Sequence, residues 1–186
     1  MKNKKGFTLA ELLIVVAIIA VLVAVSIPIF YAQLRKSRLA VNQANGRADF
    51  SAAEAAYLEY VTEYGSIKAN PNSTDDAVTY TYFTAAGKGI LNFKINNGQW
   101  IAAGTGDKVS RNTDVSKWTV DTALSDNIKV GDNVAKIWTI HMDPENGRIK
   151  GYYCAFPAPG GYGYAEYQNI VNTLANNGDT SKWQQK

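Results

Sequence analysis

The 186-residue chain carries 19 lysines and arginines against 16 aspartates and glutamates, and its formal net charge of +3 is matched by Lys2, Lys4 and Lys5 in the first five residues. The remainder is balanced, so no basic surface for nucleic acid is expected. A single cysteine, Cys154, excludes an intramolecular disulfide, and the length suffices for one soluble domain carried on a long helix.

Lys4-Lys5-Gly6-Phe7-Thr8-Leu9-Ala10-Glu11 is followed at once by an unbroken apolar run from Leu12 to Val25. Ile27, Ile29 and Phe30 extend it, with Ser26 and Pro28 as the interruptions. As a helix, Leu12 to Phe30 spans ~28 Å, about one hydrocarbon core. Its β-branched content is no objection, since lipid forces the backbone to bond internally. Pro28 lacks a donor, so a kink or local unwinding is expected between about Ala24 and Pro28. A secretory signal is cut after its apolar stretch, and the nearest small-residue site there is Ala24-Val25-Ser26, past which the apolar character continues. The other small-residue break is Gly6, ahead of the run. A cut there leaves the apolar segment on the mature chain and removes three lysines, which brings the net charge to zero. Arg35, Lys36 and Arg38 follow the run as Lys2, Lys4 and Lys5 precede it, so flanking charge alone does not orient the segment.

From Lys2 to about Tyr31 this order of residues resembles the prepilin leader and first helix of type IV pilins and their relatives, the type II secretion pseudopilins. The resemblance implies a cytoplasmic leader over residues 1–6, cut by a prepilin peptidase between Gly6 and Phe7, and N-methylation of Phe7. It also implies that Glu11 neutralises the amino terminus of a neighbouring subunit during assembly. From the residues alone, an acid at the edge of a membrane helix is costly and calls for a partner, which the new α-amino group supplies. The competing reading is that Glu11 sits in the headgroup zone near the first helical turn, where acids are favoured. Many pilins close their C-terminal region with a disulfide. This chain departs from that habit, so packing, hydrogen bonds or a metal must hold the region.

Beyond Tyr31 helical periodicity continues, with Phe50, Ala53, Tyr57, Val61 and Tyr64 in one apolar stripe. One continuous helix is expected from about Thr8 to Tyr64, with Pro28 and Gly46 as soft points and its second half lying on a sheet. Gly65 to Val78 reads as a loop with turn residues at Asn70-Pro71-Asn72 and Asp75-Asp76. The expected strands are Thr79 to Thr84, Ile90 to Ile95, Gln99 to Ala103, Lys117 to Asp121, Val134 to Met142 and Arg148 to Phe156. Asn96-Asn97-Gly98 turns one pair and Asp143-Pro144-Glu145-Asn146-Gly147 the last. In that last hairpin Asp143 faces Arg148, Met142 aligns with Ile149, Ile140 with Gly151 and Trp138 with Tyr153. Trp138, Ile140, Met142 and Tyr153 are then expected on the core face, with His141, Lys150 and Cys154 on the other. After the loop from Pro157 to Gly163, Ala165 to Asn176 reads as a short helix with Tyr167, Ile170, Val171 and Leu174 inward.

No catalytic constellation emerges. His141 reads as a surface histidine and Cys154 as an inert strand residue, although the two could pair in space. Gly104-Thr105-Gly106-Asp107-Lys108 lacks the full phosphate-loop spacing and reads as a hairpin loop. Asp126, Asp132 and Asn133, or Asp75 and Asp76, offer oxygens for calcium. Neither group has an EF-hand pattern, and turn chemistry is the simpler account. The Gly-Tyr segment from Gly160 to Tyr164 reads as a turn with aromatic packing.

The chain is therefore read as an α+β, pilin-like protein whose long N-terminal helix packs by its second half on an antiparallel β-sheet head. Its parts are a cleaved leader (1–6), a membrane and assembly helix (7–31), an amphipathic helix packed on the head (32–64) and the head (65–186). The expected function is structural, polymerisation into a surface fibre for motility, adhesion or aggregation, with a pseudopilin of a secretion or DNA-uptake apparatus as the alternative. No enzyme activity, metal or other cofactor is expected. The partners are other subunits, the prepilin peptidase, the assembly machinery and, before assembly, the membrane, with no nucleic acid.

Overall fold

The computed structural model describes residues 6–67, 78–92, 109–111, 114–123, 128–160 and 163–181. The expected strand at 99–103, the turn at 96–98, the loop at 104–108 and the acidic residues Asp75, Asp76 and Asp126 lie outside these.

Helix α1 runs unbroken from Leu9–Tyr64, 56 residues, with Thr8 as its N-cap. At ~1.5 Å per residue it is ~84 Å long. The unwinding expected at Ala24 to Pro28 does not occur: helix continues through Pro28, whose missing N–H costs one bond of the ladder. Ser26 Oγ turns back to the Leu22 carbonyl at 2.7 Å, the usual way a helical serine satisfies its hydroxyl. Gly65, at φ 85°, ends the helix and donates its N–H to Val61 O at 2.9 Å.

Among the described residues the head is a five-stranded antiparallel sheet built from β1 (Val78–Phe83), β2 (Lys88–Asn92), β3 (Val109–Arg111), β4 (Ile137–Met142) and β5 (Ile149–Ala155), in the order β2-β1-β4-β5-β3. The second half of α1 covers one face, over Val78, Tyr80, Trp138, Ile140, Met142, Tyr152 and Cys154. Helix α2 (Tyr164–Ala175) packs Tyr167, Ile170 and Leu174 on the opposite face, against Phe83, Ile90 and Ile137. With a helix on each side, alternate residues of β1 and β4 are buried whichever way they point.

The last hairpin departs from the expected register. Met142 does pair with Ile149, but Ile140 pairs with Tyr152 and Trp138 with Cys154, because the register shifts between His141 and Met142. The extra residue on β5 is Lys150, and a bulge of this kind reverses the faces of everything beyond it. Tyr152 and Cys154 thus join the core under α1, whereas Tyr153 moves to the other side with His141. Lys150 reaches back to Asp143, Nζ to Oδ2 at 3.2 Å, so the turn's ion pair is with Lys150 and not Arg148. Gly147, at φ 70°, lies against the Tyr57 ring, and Tyr57 donates its hydroxyl to Pro144 O at 3.0 Å. A Cβ at Gly147 would stand 2.4 Å from that ring, so glycine is required twice over.

Lys117 to Asp121 is not a strand. Val115–Lys117 forms a 3₁₀ turn capped by Asp114, whose carboxylate accepts from Ser116 N at 2.9 Å. Gln43 Nε2 donates to the Val115, Ser116 and Trp118 carbonyls at 3.1, 3.3 and 3.3 Å, so a helix side chain takes the carbonyls that a neighbouring strand would otherwise have taken.

Trp138, fully buried, is the centre of the core. It stacks on Trp118 (5.8 Å, 17°) and meets Phe50 edge-on (6.3 Å, 88°). Gly46 lies over its ring, where a Cβ would be 3.1 Å from both Trp138 and Val115. The glycine expected as a soft point is instead a site of close approach. The buried line of α1 is Asn42, Gly46, Asp49, Ala53 and Tyr57, and Tyr64 is exposed.

Asp49 is fully buried, and neither carboxylate oxygen has a hydrogen-bond partner among the described residues. Burial pushes its pKa up from 3.8 to about 8. Tyr80, Tyr82 and Cys154 are near enough for its charge to raise theirs in turn. The folded state holds this proton more tightly than the unfolded chain. Its stabilising contribution is therefore greatest below the ordinary aspartate range and is lost as pH rises towards about 8. Thermal unfolding of the chain from Gln33 onward is expected to show a midpoint that falls by roughly 5–10 °C between about pH 5 and pH 8. Asp49→Asn should remove most of that slope, and an unchanged slope would show that Asp49 is not its source.

Candidate functional site

The first half of α1 is not covered by any other described part of the protein. Every residue from Phe7 to Gln33 is exposed, including Leu12, Ile14, Val16, Ile19 and Phe30, and by length and composition the segment can cross a membrane. A helix satisfies its own backbone donors and acceptors, so such a segment can stand in lipid or against other apolar helices at no backbone cost. From Leu12 to Val25 apolar side chains are exposed around its whole circumference.

At its start, Thr8 and Glu11 form a capping box. Glu11 N donates to Thr8 Oγ1 at 3.3 Å, and Glu11 Oε2 accepts from both Thr8 N and Thr8 Oγ1 at 2.8 Å. The carboxylate thus answers orphan donors of the first turn and sits where the helix dipole favours it. Both bonds donated by Thr8 go to one carboxylate oxygen, and a carboxylate has further lone pairs with which to accept from an amine. Gly6 and Phe7, the expected cleavage pair, precede the cap in exposed, non-helical chain, and nothing lies within 4 Å of a Cβ placed on Gly6. Sequence reasoning named Gly6, Phe7 and Glu11 as expected site residues and missed Thr8 as the hydrogen-bond partner of Glu11. The Thr-x-x-Glu spacing was the available signal.

Where α1 enters the head, a second set of contacts fixes one to the other. Arg35 pairs with Asp121 (2.8 Å) and Asp132 (3.0 Å) and also donates to Val120 O (3.0 Å). Arg38 donates to Asp132 O at 2.6 Å. Asn42, fully buried, donates to Val130 O and Asn133 O at 3.1 and 2.8 Å and accepts from Ala135 N at 2.9 Å. With Gln43, these side chains clamp residues 115–121 and 130–135 to the helix. The Asp121 carboxyl is held below the ordinary range by the Arg35 hydrogen bond. Asp132 and Asn133, considered as calcium ligands, are instead part of this clamp, and no cluster of three or more His, Cys, Asp or Glu occurs among the described residues.

The possible pairing of His141 with Cys154 is excluded by the hairpin register. Cys154 lies under α1, while His141 lies on the other face with its ring 4.9 Å from Tyr153. Burial, with the charge of Asp49 adding to it, pushes the Cys154 thiol well up, which leaves it an unreactive core residue.

Residues 1–27 match a family model described as the prokaryotic N-terminal methylation motif. The chain is 34% identical over 106 residues to Fimbrial protein Q of Moraxella bovis, covering 57% of this chain and 67% of that protein. It is 33% identical over 103 residues to a fimbrial protein of Moraxella nonliquefaciens, covering 45% and 67%. To a fimbrial protein of Pseudomonas aeruginosa it is 35% identical over 100 residues, covering 53% and 64%. No solved structure matches the chain.

Since the exposed apolar half of α1 and the head are separate parts of the molecule, residues from Gln33 onward are expected to be soluble and monomeric without detergent. Light scattering tests this, and stable filaments from the truncated chain would place the association surface elsewhere.

Proposed function

Because this chain belongs to the type IV pilin family, we propose that it is cut between Gly6 and Phe7, methylated at Phe7 and polymerised through the first half of α1 into a surface fibre serving motility, adhesion or aggregation. A pilin is a structural subunit and not an enzyme. The observation that carries the reading is the exposure of every side chain from Phe7 to Gln33 on a helix whose second half is packed on a folded head. Such a helix anchors the precursor in the membrane as a single pass and, on assembly, exchanges lipid for the helices of neighbouring subunits. The heads then form the outer wall.

The leader peptidase and the assembly machinery are the partners this pathway needs. Glu11 has a specific part in it. Moving a carboxylate from the membrane edge into a fibre core removes its contact with water, and a neighbour's Phe7 amine supplies the opposite charge. The Thr8 bonds to Glu11 Oε2 orient the carboxylate beforehand, so that pairing orders little that is not already ordered.

Gly6→Val is expected to block processing while membrane insertion persists, since the apolar run is untouched. Intact mass of the native protein tests it, and a mature chain beginning at Met1 in the unsubstituted protein would refute the cut. Glu11→Ala should yield processed, membrane-bound monomer with a normally folded head and few or no fibres. It also makes membrane residence cheaper, by roughly 2–3 kcal/mol. Fractionation with electron microscopy checks this; fibres of normal number and length would reduce Glu11 to a headgroup-zone residue.

A further inference from the structure

The C-terminal part of the head has no internal cross-link, since Cys154 is the only cysteine. Helix α2, at 12 residues, is too short to hold itself in water. Its apolar contacts form a core of their own. Tyr167, Ile170 and Leu174 meet Phe83, Ile90 and Ile137, and none of these six belongs to the core under α1. Only the sheet separates the two cores.

Two lysines fasten the two ends of this helix. Lys88, Phe83, Ile137 and Ala155 are aligned across β2, β1, β4 and β5, and α2 packs over that row. At the C-terminal end of α2, Leu174 O accepts from Lys88 Nζ at 3.1 Å, and Lys88 also donates to the side-chain oxygen of Asn177. The helix closes there with Gly178 N bonded to Thr173 O (2.8 Å) and Asn177 N to Leu174 O (3.2 Å). Asn177 takes the left-handed position, at φ 52°, that glycine usually holds, and glycine would offer Lys88 no side-chain oxygen. At the other end Lys136 Nζ donates to Pro157 O at 2.7 Å and lies over the Tyr164 ring, 5.7 Å from its centre. Gly163 caps that end with no side-chain bond. Neither lysine is in a salt bridge among the described residues, so both charges face carbonyl, amide and ring dipoles. A cation is favoured at the C-terminal end of a helix, and Lys88 stands there exposed.

We propose that residues 163–178 form a strap that opens and closes as one unit, released at its Lys88 end, while the core under α1 stays shut. A disulfide would close this region permanently, whereas a lysine on carbonyl and amide oxygens closes it reversibly. Opening gives up the contacts of Tyr167, Ile170 and Leu174 and the lysine bonds. It leaves the strand ladders and the α1 contacts intact, so it costs less than unfolding the head. Phe83, Ile90 and Ile137 are then uncovered on the side of the sheet away from α1. The head thus has one fixed face, bound to the helix, and one face that can change.

Hydrogen exchange of the full-length chain in detergent, read residue by residue, tests this. The amides of α2 are expected to exchange together and at least ~10-fold faster than those of β4. Lys88→Met keeps the side chain's length and removes its charge and donors. It should speed α2 exchange by a further factor of roughly ten and leave β1 and β4 unchanged. Lys88→Arg, which keeps a charge and donors at that end, should stay close to the unsubstituted chain. Cys154 supplies a second readout, because it is buried on the opposite face. In Lys88→Met it should remain unreactive to a maleimide over the time in which α2 exchanges. A single common rate for α2 and β4, unchanged α2 exchange in Lys88→Met, or labelling of Cys154 as fast as α2 opens would each overturn the proposal. A Lys88→Met chain that fails to fold would do so too, since Lys88 would then secure the whole head and not a strap.

Discussion

The contact of Gly46 with Trp138 sets the distance between α1 and the sheet, and most of the molecule follows from that distance. A Cβ at Gly46 would already crowd both Trp138 and Val115, so the helix backbone rests almost directly on the largest side chain of the core. At that separation the neighbouring inward positions cannot all be large. Ala53 fills one, and Asn42 and Asp49 fill two more. Asn42 is affordable there because both ends of its amide are bonded to the 130–135 segment, which lacks sheet neighbours of its own at those groups. Burial on this face therefore combines an aromatic centre with polar clamps at the lower end and the Tyr57 hydroxyl at the upper end.

The two carboxyls of α1 that matter most meet opposite solutions. Glu11, exposed at the helix start, is held by Thr8 and can stay charged without a packed environment. Asp49, enclosed between helix and sheet with no donor to bond, is kept neutral by its surroundings over most of the physiological range. An unbonded acid in a core contributes no stability that an apolar residue of like size would not exceed. Its presence makes the packing of helix on sheet weaken as pH rises towards about 8.

The fold class, the continuous helix, strands β1, β4 and β5 and the C-terminal helix were legible because each rests on hydrophobic period, which acts locally. The apolar segment was legible for the same reason. The failures share a different cause. The register of β4 on β5 depends on a bulge at Lys150, and no local pattern marks which residue of a strand will be left over. The residues from Lys117 to Asp121 alternate like a strand, yet Gln43, over 70 positions away in sequence, bonds the carbonyls preceding and entering them. Asn42, Gly46 and Asp49 look like polar or weak helix positions and so were passed over in favour of Phe50 and Tyr64. Period-based reading selects large apolar residues, whereas a helix brought this close to a tryptophan needs small ones.

That close approach also decides what the rest of α1 can do. Because the head is fixed by one narrow line of small and polar residues, about half of the helix circumference beyond Gln33 is left uncovered, in continuity with a first half that is uncovered all round. A bulkier inward face would have lifted the helix from the sheet and let loops of the head close around it. The arrangement instead leaves exposed residues along α1 from Phe7 to Thr62, with the head to one side. The helix keeps its backbone bonds internal from end to end, and its one proline costs a single bond of the ladder. It thus joins two surfaces of different kind, an apolar half exposed all round and a second half bound to the head along one side.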